Sequence, residues 1–139
     1  MEAELIRLGE ELGIAKSVVF IPRSQDIAQL YYIMDVFVMP SLKEGLGLGL
    51  MEAMAASKAV VGSAVGGIKN LIRDKDNGLL VGAQDVEGLR KAILELLSDP
   101  AASAVMGNRA RIFVNDNFSL EKMLRKTEEV YAECLSPKN

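Results

Sequence analysis

Two glutamates and three glycines carry most of the chemistry available to this chain of 139 residues. In the stretch PSLKEGLGLGLMEAMAA, Gly45, Gly47 and Gly49 occupy alternate positions between Glu44 and Glu52, and an alanine- and methionine-rich segment follows. Glycines let backbone amides approach a ligand closely and admit positive φ, while a helix starting behind them adds unpaired N–H groups and the positive end of its dipole. That combination is a cradle for an anion. Carboxylates only accept hydrogen bonds and can take two hydroxyl donors at once. Glu44 at the loop entrance and Glu52 in the first turns of the helix therefore suit the vicinal hydroxyls of a sugar or ribose. An anion beside hydroxyls describes a sugar phosphate or a nucleotide sugar. A plainer account stands next to it: glycines before a helix can simply turn the chain, and an acid in a first helical turn is stabilising with no ligand present. Two carboxylates also repel a pyrophosphate, so Lys43 alone is a weak counterweight and the sharper reading calls for positive charge from elsewhere.

The remaining composition narrows the choices. The chain has no histidine, which removes Ser-His-Asp catalysis and the common zinc sites from these residues. Its one cysteine, Cys134, has no internal partner. A net charge of −3 and 5% aromatic content supply neither a basic stripe nor stacking platforms, so nucleic acid is not an expected partner. There is no leader-like segment and no apolar run of about 18 residues, which predicts a cytoplasmic location.

The elements that must position the glycine loop alternate along the chain. EAELIRLGEELGI has helical spacing ending at Gly13; SVVFIP (17–22) reads as a strand; SQDIAQLYYIM reads as a helix with Ser24 as its N-cap. DVFVMP is a buried strand, a helix is expected over Leu50 to Ala56, AVVGS is a strand, GGIKNLIRD a short helix, and NGLLVG a turn into a strand. Three helices follow: one capped by Asp85, one over PAASAVMGNRARIFVNDNF, and one opened by Ser119. Short apolar strands alternating with helices predict an α/β, Rossmann-like, doubly wound parallel sheet covered on both faces. In such sheets ligands sit beyond the carboxyl ends of the strands, where the quoted stretch falls.

The run from DVFVMPSLKEGLGLGLMEAMAA through AVGGIKNLIRDKDNGLLV resembles the C-terminal half of a retaining GT-B glycosyltransferase of family 4, the glycosyl transferases group 1. Glu44 and Glu52, with seven residues between them, match that family's E-x7-E signature. The resemblance implies that Glu52 binds the donor's ribose hydroxyls. It implies too that Glu44, the candidate catalytic residue, holds hydroxyls of the transferred sugar, and that the amides of Gly45, Leu46, Gly47 and Leu48 hold sugar and diphosphate oxygens. It implies a nucleotide-diphosphate sugar such as a UDP- or GDP-sugar as donor, with no separate cofactor and no metal, GT-B enzymes generally lacking the Asp-x-Asp metal motif. Retention in the family is thought to proceed by front-face attack assisted by the leaving diphosphate, so the protein's part is positioning and electrostatic stabilisation. The chain departs from the family at Leu46, usually aromatic; at Gly49, usually proline; at Ser57-Lys58-Ala59, usually Gly-x-Pro; and at Lys69-Asn70, usually Pro-Glu.

By the same resemblance residues 1–139 form a partial donor-binding domain. It lacks the first two strands of that domain, their basic pair and the whole acceptor-binding N-terminal domain. The chain is then expected to be inactive alone, with the helix at about 119–135 packing toward the absent domain, through which alone any peripheral membrane contact would come. VVFI and VFVM should either pair directly or leave sticky edges that favour a homodimer. A non-catalytic module that pairs with a separate N-terminal-domain chain is the alternative, and a flavodoxin-type phosphate binder is disfavoured by the glutamate pair. Tyr31, Tyr32, Met34, Met39, Met51 and Met54 are expected to fill the core. Gly66 and Gly67 either touch the donor sugar or merely start a helix; Arg23 lies where a base-contacting loop would be; Asp85, Glu87, Arg90 and Lys91 form a solvated face.

Overall fold

Apolar runs of three to five residues make the sheet, because each must be shielded on both faces by the helices that alternate with them. A computed structural model of the protein describes residues 2–21 and 26–135. Three strands, β1 (Val36–Met39), β2 (Ala59–Ser63) and β3 (Leu79–Val81), pair in parallel in the order β1-β2-β3, with Phe37 opposite Val60 and Gly62 opposite Leu80. The helices are α1 (Glu2–Glu11), α2 (Ile27–Ile33), α3 (Leu48–Ala55), α4 (Ile68–Leu71), α5 (Val86–Ser98), α6 (Pro100–Phe118) and α7 (Leu120–Leu135), with a 3-10 turn at Ala15–Ser17.

The period-two geometry of a strand divides β2 between two cores. Val60 faces a cluster with Leu50, Met54, Ile68, Leu71 and Ala110, drawn from α3, α4 and α6. Ala59 and Val61 face the other side, against Leu79, Ala92 and Leu96 of β3 and α5. All five residues of β2 are buried, whereas β1 is half-buried throughout, as an outer strand should be. The caps follow the sequence: Asp85 accepts from the Gly88 amide, Asp99 accepts from the Ala102 amide with Pro100 opening α6, and Ser119 Oγ accepts from the Lys122 amide. Gly13 closes α1 at φ +68°. The acidic and basic residues of α5 lie in solvent as expected, with Arg90 pairing with Glu87 at 2.7 Å.

Several expectations need correction. Residues 18–21 form no strand: they join no ladder among the described residues, and Val19 is 81% exposed. Strand propensity is realised only where a partner edge lies alongside, and none of the described strands reaches this segment. VVFI and VFVM accordingly do not pair, and the outer edge of β1 is left without a described neighbour. Ser24, the expected cap of α2, and Arg23 lie outside the described residues; Asp26 takes the N-cap position. Helix α3 starts at Leu48, two residues early, because Gly47 already turns the chain. Tyr32 is 76% exposed and fills no core, unlike its neighbour Tyr31.

The amphipathic elements at the two ends bury little. In α1 only Gly9 is buried, and α7 buries none of its residues while exposing Leu120, Met123, Leu124, Val130, Tyr131 and Leu135. Among the described residues no helix is long and apolar enough to cross a membrane.

Candidate functional site

The sheet delivers the quoted stretch to its carboxyl edge. β1 ends at Met39, and the chain runs through Pro40 to Gly47 before α3 begins. Only Gly47 of the three alternate glycines uses the left-handed region, at φ 76° and ψ 48° as the N-cap of α3, where a side chain would be strained. Gly45 has open space where a Cβ would stand, so its absent side chain leaves the loop accessible from that side. Gly49 sits inside α3 with negative φ and only ordinary contacts around its Cβ position, the nearest being Met39 Cε at 3.5 Å.

Glu44 is half-buried and bound to the loop that follows it. Its Oε1 accepts from the amides of Gly45 at 3.1 Å and Gly47 at 3.2 Å. Two of the amides expected to hold a ligand are therefore engaged by this carboxylate. The amides of Leu46 and Leu48 donate to none of the described residues. This contact gives Glu44 a structural role as the loop's own cap, which the plainer account of the sequence anticipated only for an acid inside the helix.

Glu52 is placed differently. It is the fifth residue of α3, just past the first turn within which the helix dipole acts, so dipole stabilisation explains little of it. Its side chain is exposed and its Oε2 accepts from the Tyr31 hydroxyl at 2.8 Å. Tyr31 is buried, with its ring 5.8 Å from that of Phe37 at 56°, and its hydroxyl also lies 3.3 Å from the Gly49 carbonyl oxygen. Burial first, then the hydrogen bond to Glu52 and the charge of that carboxylate, push the phenol up to about 12 from 10.0. Sequence reasoning took Tyr31 for core filling, and its ring does fill the core; the spacing of α2 gave no sign that the hydroxyl meets Glu52.

Gly66 and Gly67 do something the sequence did not suggest. The loop after β2 lies directly on the loop after β1: the Gly67 amide donates to the Glu44 carbonyl at 3.1 Å, a Cβ on Gly66 would overlap that carbonyl oxygen, and a Cβ on Gly67 would overlap the carbonyl oxygen of Gly45. These glycines are needed for loop-to-loop contact, and they seat the glycine loop from below. Lys69, the second residue of α4, is exposed.

Two other places merit exclusion. A cavity of about 450 Å³ opens at the amino ends of β1 and β2, lined by residues including Asp35, Lys58 and Ser103. It lies at the sheet edge opposite the glycine loop, and its polar side chains Lys58 and Ser103 donate to the backbone carbonyls of Tyr32 and Leu96. The triplet Asp74-Lys75-Asp76 has the Asp-x-Asp form, but it belongs to the turn before β3: Asp74 accepts from the Leu80 amide and Asp76 pairs with Arg109 at 3.5 Å. Both carboxylates serve the turn and its packing.

A parallel sheet with helices on both faces and a glycine loop at its carboxyl edge is here the α/β layout of the C-terminal half of a GT-B glycosyltransferase. The chain belongs to the glycosyl transferases group 1 family, whose sequence model matches residues 1–113. It is 34% identical over 131 residues to the N-acetyl-alpha-D-glucosaminyl L-malate synthase of Bacillus anthracis, a match covering 94% of this chain and 34% of that protein. The crystal structure of a glycosyltransferase from Rickettsia africae superposes with a TM-score of 0.94 at 28% identity, covering 99% of this chain and 37% of the other. That of Anabaena HepE in complex with UDP-glucose superposes at 0.90 with 25% identity, covering 94% and 36%. The chain thus spans about a third of the length of the relatives it matches.

Proposed function

We propose that this chain is the donor-binding part of a retaining hexosyltransferase, taking a nucleotide-diphosphate sugar such as a UDP- or GDP-sugar at the loop between β1 and α3. The observation that carries the reading is the pair of carboxylates bracketing the glycine loop at the carboxyl edge of the sheet, with Glu52 exposed and held by a buried phenol. The UDP-glucose complex of HepE, a structural neighbour, supports the class of donor.

In this reading Glu52 accepts the ribose hydroxyls. Glu44 is the catalytic carboxylate and accepts hydroxyls of the transferred sugar through Oε2, while Oε1 stays on the loop. The open amides of Leu46 and Leu48 receive diphosphate or sugar oxygens, and those of Gly45 and Gly47 stiffen the cradle through Glu44. In the transfer, the bond from the anomeric carbon to the diphosphate breaks, an acceptor hydroxyl adds on the same face, and its proton leaves with the diphosphate. The protein lowers the barrier by holding these groups in line and by presenting dipoles to the departing charge. The two amides on Glu44 offset part of its repulsion of the donor. Residues 1–139 act as a partial domain, inactive alone, in the cytoplasm; the apolar face of α7 packs toward an acceptor-binding domain, and the basic groups the diphosphate requires come with the first two strands of the donor-binding domain.

A second reading, a non-catalytic module that pairs with a separate acceptor-domain chain, is favoured by the exposed apolar residues of α7. Calorimetric titration with UDP-glucose, GDP-mannose and the free nucleotides separates the two. Saturable binding that is lost in Glu52→Ala supports the donor site and names the base. A folded chain that binds none of them means that the basic groups outside these residues are essential to the site, and leaves this chain a scaffold, as the module reading has it.

A further inference from the structure

We propose that Tyr31 is a positioning residue for Glu52, its hydroxyl holding one carboxylate oxygen so that the other is presented to the donor's ribose in a fixed orientation. The inference rests on the reading of Glu52 as the ribose-binding carboxylate and adds the group that makes it competent.

An exposed glutamate has several rotamers of similar energy, and a hydroxyl pair can be gripped well by only one of them. The Tyr31 hydroxyl, 2.8 Å from Oε2, selects among them. It has one proton and two acceptors within reach, and the shorter distance, to a charged oxygen, decides its direction; the Gly49 carbonyl at 3.3 Å is the weaker partner. The phenol cannot follow a wandering carboxylate, because its ring is buried and set against Phe37. None of the described residues donates to Oε1 of Glu52, so that oxygen keeps its full accepting capacity.

Tyr31 also has a plain structural duty, being the buried residue of α2. The two roles reside in different atoms: the ring anchors the helix and the hydroxyl holds Glu52. Tyr31→Phe keeps the first and removes the second.

The test is calorimetric titration of the chain with UDP and with 2′,3′-dideoxyuridine diphosphate, which has no vicinal hydroxyls, using wild type, Tyr31→Phe, Glu52→Ala and the double variant. Wild type is expected to prefer UDP. Tyr31→Phe should weaken UDP binding on the order of tenfold, about the value of one hydrogen bond to a charged group, and leave the dideoxy compound unchanged. The double variant should bind UDP no more weakly than Glu52→Ala. Equal weakening of both ligands by Tyr31→Phe would reveal a merely structural role and overturn the inference, as would no weakening of either. If Glu52→Ala abolishes the preference for UDP while Tyr31→Phe retains it, the inference fails and the donor reading stands. If Glu52→Ala itself leaves the preference intact, the assignment of Glu52 fails and Tyr31 goes with it.

Discussion

Gly66 lies so close to the carbonyl oxygen of Glu44 that no side chain fits between them, and the neighbouring Gly67 amide donates to that same oxygen. The loop after β2 is thereby the seat of the loop after β1. Any change there reaches Glu44 through its own backbone.

Gly66→Ala should therefore act at a distance from its own position. The new Cβ meets backbone, which cannot swing aside, and φ at this residue is +41°, a region costly for alanine. We expect a loss of about 2–4 kcal/mol, within the upper part of the range for single substitutions, read as a lower urea midpoint with unchanged slope. A stability within 0.5 kcal/mol or so of wild type would contradict the close seating.

Ser57 offers the opposite sign. It ends α3 at φ 60°, and the amides of Ser57 and Lys58 donate to the carbonyls of Met54 and Ala53, the paired bonds of a Schellman ending. The left-handed conformation costs a residue with a Cβ roughly 1–2 kcal/mol. Ser57→Gly should raise stability by about 1 kcal/mol in thermal or urea unfolding.

Gly49 is a second position where substitution should stabilise. Its φ is not positive, it lies inside α3, and a Cβ would find ordinary contact with Met39 and Phe37. Gly49→Ala is expected to gain roughly 0.5–1 kcal/mol by reducing the freedom of the unfolded chain. Destabilisation would show that the Tyr31 hydroxyl, 3.7 Å from the new Cβ, needs that space.

The phenol of Tyr31 gives the fold an alkaline limit. Its pKa is 10.0 unfolded and about 12 folded, so between these values the native chain binds more protons than the unfolded one. Stability from this group is complete below pH 10 and is lost as pH rises through about 12. The loss is at most on the order of 2 kcal/mol, because the hydroxyl end is only part-buried and solvent screens its charge. Urea unfolding at pH 9, 10.5 and 12 should show this decline in wild type, and in Tyr31→Phe only the smaller decline that other tyrosines and lysines cause. Parallel curves would show that the phenol is not raised in the folded chain.

How much of this was legible beforehand depended on whether the cause was local. β1, β2 and β3 announced themselves because each is a short apolar run, and Asp85 and Ser119 because capping chemistry acts within three residues. Glu44 and Glu52 stood out by spacing. Residues 18–21 misled because a β-branched run specifies a strand only in company, and company is a tertiary fact. The contacts of Tyr31 with Glu52 and of Gly66 with Glu44 were out of reach for the same reason. The first joins positions 21 apart, the second joins two crossover loops, and neither leaves a mark on periodicity.

The outer edge of β1, which has no neighbour among the described residues, has a thermodynamic meaning for ligand capture. This strand carries the glycine loop, yet among the described residues it is laddered to β2 alone, and it is half-buried along its length. Such a strand opens more cheaply than one laced on both sides. A donor that fits only the seated loop sees its affinity divided by the fraction of time the strand is home. On the proposed donor reading, whatever hydrogen-bonds to that edge acts as a positive effector of nucleotide binding, and the nucleotide, by reciprocity, as an effector of its docking.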